Sequence, residues 1–227
     1  MYRNPLPFII LELFKSKLEN SNIYIVPNYN ESYMKKPYIF KKEQMLYIKT
    51  ARQRIAQVFF RYPEKEFSLS DLAKEAKVKK SNIGAILTEM QGIGFIEIAK
   101  LSAIWRIKAN VQNPHYLKNK IVHNLAFVYH LGIVEFLNDY FKHPKAIVLF
   151  GSFRKGDDIS ASDIDLAVES EEAKGYQVIG LRELSDLEKR IGRKVQIHLF
   201  NRKNIDSNLF NNIANGIVLS GFLEVNP

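Results

Sequence analysis

The stretch Ala146-Ile-Val-Leu-Phe-Gly-Ser-Phe-Arg-Lys-Gly-Asp-Asp-Ile-Ser-Ala-Ser-Asp-Ile-Asp-Leu-Ala-Val168 decides how the rest of the chain is read. Its first five residues, Ala146 to Phe150, carry no charge and read as a buried β-strand. The chain then breaks at Gly151-Ser152, crosses a polar loop and returns as a second short strand, Asp163 to Val168. In that strand Asp163 and Asp165 alternate with Ile164 and Leu166, and side chains along a strand have a period of two. Both carboxylates therefore point to one face. Two carboxylates side by side repel each other unless a cation sits between them, and Mg²⁺ takes oxygen ligands while leaving positions open for substrate phosphates. Gly151 lets the backbone approach a ligand closely, and Ser152 offers a hydroxyl and an N–H toward a phosphate. Lys155 and Arg154 stand close enough in sequence to neutralise a triphosphate, whereas Asp157 and Asp158 read as solvated loop residues. The stretch reads as a metal–nucleotide site.

Leu149-Phe-Gly-Ser152, a gap of ten residues, then Asp163-Ile-Asp165, with Gly156 between, resembles the signature of the DNA polymerase beta-type nucleotidyltransferases. The likeness is strongest to the minimal nucleotidyltransferases of archaea and bacteria, and it covers about residues 140–223. It implies an α/β (α+β) fold, a small mixed-sheet domain. It also implies an NTP substrate with Mg²⁺ or Mn²⁺. On the matching positions, Asp163 and Asp165 would be the catalytic and metal-binding acids. Gly151, Ser152, Lys155 and Ser162 would bind the nucleotide. A separate helical partner protein is implied as well. One position departs from the pattern: the run Gly192 to Val195 normally precedes a third acid, and here that position is Gln196. An amide is neutral and a poor base, so Gln196 weakens the site that activates the acceptor hydroxyl. Two readings follow, an enzyme transferring a nucleoside monophosphate to an unknown hydroxyl, or an impaired pseudo-enzyme acting as a DNA-binding regulator or adaptor. His198, two residues along the same strand, is a candidate substitute for the missing acid.

Upstream, Ala51 to Tyr62 reads as a helix with Ile55, Val58 and Phe59 as its apolar stripe, and Pro63 ends it. Ser68 caps a second helix that buries Leu72, Ala73 and Ala76. A third, Ser81 to Gln91, carries Ile83, Ile86, Leu87 and Met90 at helical spacing. Two strand-like runs, Phe95 to Ala99 and Ala103 to Ile107, form a hairpin after Gly92 and Gly94. This order is similar to a winged helix-turn-helix domain, which implies that the third helix enters the major groove and the hairpin flanks it. On that resemblance Lys79, Lys80, Ser81, Asn82, Lys100 and Arg106 would meet nucleic acid. A winged helix used for protein contact is the other reading.

The remaining segments connect these two. Residues 1–48 are an unassigned extension, with a helical pattern from Phe8 to Leu18 and strand-like runs at Asn22 to Val26 and around Tyr33, Tyr38 and Phe40. The winged helix takes 49–112, a connecting helix 113–144, interrupted at Gly132, and the nucleotidyltransferase domain 145–227. Within the last, Gln177 to Ile191 reads as a helix ending at Gly192, Lys194 to Phe200 as a strand, and Ser207 to Ala214 as the last helix.

Charge supports this division. Residues 1–112 carry 19 Lys and Arg against 10 Asp and Glu, while residues 113–227 carry 14 of each. A basic front half points to a polyanion such as nucleic acid, although a solvated lysine-rich surface has the same composition. The chain of 227 residues is 46% apolar and 25% charged, ordinary for a globular protein. With no cysteine, disulfides and thiolate metal sites are excluded. No apolar run approaches the roughly 20 residues of a membrane span. Glu12 and Lys15 interrupt the first apolar run too early for a signal peptide, so a cytoplasmic protein without a membrane partner is expected.

Overall fold

Side-chain caps start four of the eight described α-helices in the computed structural model, which describes residues 23–26, 38–41, 50–101 and 104–225. β1 (Ile23–Val26) and β2 (Tyr38–Lys41) form an antiparallel pair. The helical pattern over Phe8 to Leu18, and Tyr33, lie outside the described residues.

α1 (Ala51–Arg61) starts at Thr50, whose hydroxyl accepts the Gln53 N–H while the Gln53 side chain accepts the Thr50 N–H. This reciprocal capping satisfies two donors that a helix start leaves unpaired. α2 (Leu69–Glu75) starts at Ser68, whose Oγ accepts the Asp71 N–H at 3.1 Å. α3 (Ile83–Gly92) is shorter than its periodicity predicts, because Lys80–Asn82 form a 3₁₀ turn instead of its first residues. β3 (Ile96–Leu101) and β4 (Ile104–Ala109) pair antiparallel, with Ile98 opposite Ile107. Ile55, Phe59, Leu72, Ile83, Leu87 and Ile107 form one core.

The connecting segment is two helices. α4 (Pro114–His130) begins at the Asn113 cap with proline in its first turn, where the missing N–H costs nothing. α5 (Ile133–Tyr140) follows a break at Gly132, whose φ of +67° suits glycine. Tyr116 ties α4 to the front core, donating from its buried hydroxyl to the Phe59 carbonyl at 2.9 Å.

The rest is a five-stranded mixed sheet: β5 (Ala146–Phe150), β6 (Ile164–Glu169), β7 (Gln177–Ile179), β8 (Val195–Phe200) and β9 (Ile217–Gly221). Their order is β7-β8-β6-β5-β9; β6 and β8 are parallel, and the other pairs are antiparallel. α6 (Gly151–Lys155) follows β5, α7 (Ser185–Ile191) precedes β8, and α8 (Ser207–Ala214) precedes β9. Ile147, Leu149, Leu166 and Ile197 pack with Val128, Phe136, Phe153 and Leu187 into a core on one face of the sheet. Val148, Phe150, Ala167 and Phe200 pack with Ile213 of α8 on the other.

The helix expected over Gln177 to Ile191 is only half there. Gln177–Ile179 adds to the sheet edge as β7, a 3₁₀ turn spans Arg182–Leu184, and the α-helix begins at Ser185. The cause is tertiary: β8 has an open edge, and the β-branched Val178 and Ile179 pair with its His198 and Ile197. Among the described residues no single helix is long and apolar enough to cross a membrane.

Candidate functional site

Asp163 precedes β6 and Asp165 lies in it, beside β8 and at the end of β5 where Phe150 pairs with Asp165. Alternation sends Ile164 and Leu166 into the core and leaves both carboxylates half-buried on the opposite face. β8 contributes the neighbours. Gln196 donates from Nε2 to Oδ2 of Asp163, and His198 Nε2 lies 3.3 Å from Oδ1 of Asp165. His198 Nδ1 is 2.7 Å from the Tyr176 hydroxyl, and the imidazole stands edge-on to Phe150, with ring centroids 4.7 Å apart.

A carboxylate only accepts, so the Nε2 facing Asp165 is the donor of that pair, and Nδ1 faces the Tyr176 hydroxyl. Both ring nitrogens of His198 are therefore engaged within the protein, one by Asp165 and one by Tyr176. Burial, then the charge of Asp165, raises the Tyr176 hydroxyl above its ordinary range.

Gly151 begins α6 with φ +72°. A Cβ there would collide with Oδ2 of Asp165 and stand 3.2 Å from its Cγ. The glycine therefore serves both the left-handed turn and the room for the carboxylate. Gly151→Ala is expected to cost about 1–3 kcal/mol in backbone strain and to push Asp165 out of line, read as a lower Tm by calorimetry.

The other nucleotide-binding candidates are placed less uniformly. Ser152 is half-buried on the first turn of α6, and Lys155 is exposed at its end. Ser162 uses its hydroxyl within the loop, accepting the Ile159 N–H at 2.9 Å. Beside Asp163 and Gln196 a groove of about 570 Å³ opens between β7, β8 and the start of α7, with Arg182 and Lys194 among its walls.

Asp158 is not a solvated loop residue. It is 1% exposed, and Lys120 and Arg193 pair with its two oxygens at 3.1 and 3.0 Å. Asn124 donates to the same carboxylate at 2.7 Å and to the Phe153 carbonyl at 2.8 Å. Arg193 also donates to the carbonyls of Ile159 and Ser162, both at 2.8 Å. Arg193 thereby fastens the loop that leads into Asp163. Burial draws the Lys120 ammonium below its ordinary range, an effect Asp158 offsets only in part. A second clasp comes from the front half, where Glu64 accepts from the hydroxyl and N–H of Ser160. Burial works to raise the Glu64 carboxyl, but these bonds hold it below the usual range.

Of the nucleic-acid candidates, Lys79, Lys80, Ser81, Asn82 and Lys100 are exposed. Lys80 donates to Ser70 at 3.0 Å, Ser81 to Asn82 at 3.1 Å, and the Lys100 ammonium lies 4.4 Å from the Trp105 ring centre. Arg106 is paired with Glu66. On the outer face of α3, Glu89 is paired with Arg52 at 2.5 Å.

Two carboxylates and a neutral amide offer ligands for one hard cation rather than two. Among the described residues no group of three or more His, Asp or Glu is arranged to hold a metal ion. Asp163 and Asp165 are the carboxylates that would offer oxygen ligands to a cation, and the Gln196 amide beside them carries no charge.

No curated protein matches the chain. Among solved structures, the crystal structure of the heme sensor protein PefR from Streptococcus agalactiae in complex with heme is similar at 12% identity. That match covers 60% of this chain and 95% of the other with a TM-score of 0.26, too low to bear on fold or function. Residues 132–221, which hold both aspartates and the whole five-stranded sheet, match the family model described as polymerase beta, nucleotidyltransferase, and this part of the chain has a nucleotidyltransferase-type fold.

Proposed function

We propose that the protein is a nucleotidyltransferase that takes an NTP, carries a winged helix-turn-helix module over residues 49–112, and binds DNA through it. The observation that carries the reading is the pair Asp163 and Asp165 on one face of the sheet, fitted against Gly151, inside the family-matched segment. In the reaction an acceptor hydroxyl oxygen bonds to the α-phosphorus. The bond from that phosphorus to its bridging oxygen breaks, and pyrophosphate leaves with the electron pair. Asp163 and Asp165 would hold a Mg²⁺ or Mn²⁺, which when bound would neutralise the phosphates as a Lewis acid. Gly151 and Ser152 bring backbone close to the phosphates, and Lys155 adds a cation. With Gln196 in the third position no carboxylate takes the hydroxyl proton, which passes to water.

The test is transfer of label from an α-labelled NTP, with Mg²⁺ or Mn²⁺ and with DNA or cell extract as acceptor. Wild type is expected to label an acceptor, and Asp163→Ala to lower the rate by about 100-fold or more. Equal labelling by both proteins would sink this reading.

A second reading, a DNA-binding regulator or adaptor with an impaired site, is favoured by one observation: Gln196 donates to Asp163 where the family pattern has an acid. Both readings share the DNA contact. Lys79, Lys80 and Lys100, with Arg106 engaged by Glu66, are expected to give duplex binding a slope of about −3 in log K against log salt. A fluorescence-anisotropy titration at three salt concentrations measures it. Affinity unchanged by salt would remove the DNA role.

A further inference from the structure

Glu169 ends β6, four residues beyond Asp165 on the same face of the strand and roughly 13 Å from it. It is 4% exposed, and among the described residues its carboxylate takes part in no hydrogen bond or ion pair. A buried carboxylate without a partner costs free energy that nearby charges must offset, or it takes up a proton. It lies outside the aspartate site.

The Glu169 carboxylate faces a cavity of about 440 Å³ at the end of the sheet away from Asp163. Five other charged side chains line it: Lys145 before β5, Glu171 after β6, Arg202 and Lys203 after β8, and Glu224 after β9. Both cations whose charge bears on Glu169 are held by other acids. Lys145 pairs with Glu171 at 2.7 Å, and Arg202 with Glu224 at 3.3 Å. Lys203 is exposed and bears on Glu171. Burial raises the Glu169 carboxyl above its ordinary value of 4.5, and the charges of Arg202 and Lys145 offset this only in part.

Arg202 connects this acid to the segment that follows β9. Its guanidinium lies 5.1 Å from the Phe210 ring centre and donates to Glu224, whose neighbour Leu223 is buried in the core between α8 and the sheet. The Phe222 N–H donates to the Lys145 carbonyl at 2.8 Å, and the Lys145 N–H to the Glu169 carbonyl at 2.9 Å. One cation thus stands between a buried carboxylate and an exposed one. A charged Glu169 competes with Glu224 for Arg202, in a drier setting where the same charges attract more strongly. A protonated Glu169 offers no charge and leaves the Arg202–Glu224 pair in place. We propose that Glu169 is a proton-operated latch on residues 222–225: protonated, it leaves Arg202 holding Glu224; ionised, it draws Arg202 inward and lets the segment go.

The test is amide hydrogen exchange on the full chain at pH 5 and pH 8, corrected for the intrinsic effect of pH on exchange. In wild type, protection at Leu223 to Val225 is expected to fall by about tenfold or more between the two. Glu169→Gln keeps the shape of the protonated acid, so its protection is expected to stay high at both. Glu224→Gln removes the exposed end of the latch, so its protection is expected to be low at both. Melting temperature supplies a second reading. A carboxyl raised in the folded state contributes stability that is fully present below its unfolded value of 4.5 and is lost as pH rises through the folded value. Glu169→Gln is therefore expected to melt above wild type by about 2–4 °C at pH 8 and closer to it at pH 5. The proposal is overturned if wild-type protection of the segment is the same at both pH values, or if Glu224→Gln keeps the pH dependence. A Glu169→Gln protein that melts higher at pH 8 but exchanges like wild type at Leu223 to Val225 would leave a costly buried acid and overturn the latch.

Discussion

Asp158→Ala is expected to destabilise the protein by about 3–5 kcal/mol, the usual cost of removing one partner from a buried ion pair. For a chain of this size that is a fall in Tm on the order of 10 °C. The reason lies in what remains. Lys120, 1% exposed, would keep its ammonium in the interior with only the Asp158 carbonyl as acceptor. Arg193 would lose its carboxylate, and Asn124 one of its two acceptors. Asp157→Ala is the control. It removes the same functional group one position earlier from an exposed site, and its expected effect is within about 0.5 kcal/mol. Calorimetry on the two variants separates a buried keystone from a surface acid. Equal Tm values would mean that the Lys120–Asp158–Arg193 cluster does not hold the loop. Transfer activity should fall with Asp158→Ala even below its Tm, because the loop from residue 156 leads directly into Asp163.

Gln196→Asp is expected to raise the rate of nucleotidyl transfer by about 10²- to 10⁴-fold, the usual contribution of a positioned general base. Gln196 lies on the same face as Asp163 and already touches it, so the new carboxylate would arrive beside the existing pair without a change of backbone. A stability signature should accompany the gain. Without metal, the new charge beside Asp163 replaces a hydrogen bond with repulsion and lowers Tm; Mg²⁺ or Mn²⁺ between them restores it. Wild type, with the amide already satisfying Asp163, should show a smaller metal-dependent shift. Differential scanning fluorimetry in EDTA and in Mg²⁺ reads this even before an acceptor is known. A variant whose Tm ignores metal, and whose transfer rate matches wild type, would mean that residue 196 does not stand at the third acid position.

The strand Ala146 to Phe150, the paired aspartates, the break at Gly132 and the caps at Thr50, Ser68 and Asn113 all rest on local chemistry. An uncharged pentapeptide, an alternation of period two, or a side chain reaching an N–H within three residues is written in consecutive positions. The sequence by itself therefore determined the site's strands, its glycine and the facing of its carboxylates, with β6 starting only one residue later than its pattern predicts.

Tertiary structure decided the rest, because the deciding partners lie far apart in the chain. Asp158 reads as solvated beside Asp157 until Lys120, 38 residues before it, and Arg193, 35 residues after it, close around its carboxylate. Gln177–Ile179 reads as helix until the open edge of β8 offers it a ladder of hydrogen bonds. His198 reads as a spare base until Tyr176 and Asp165 engage both its nitrogens. Burying a charge costs several kcal/mol unless a partner meets it, so whether a given aspartate is a surface acid or the keystone of a loop is decided by the packing of distant segments.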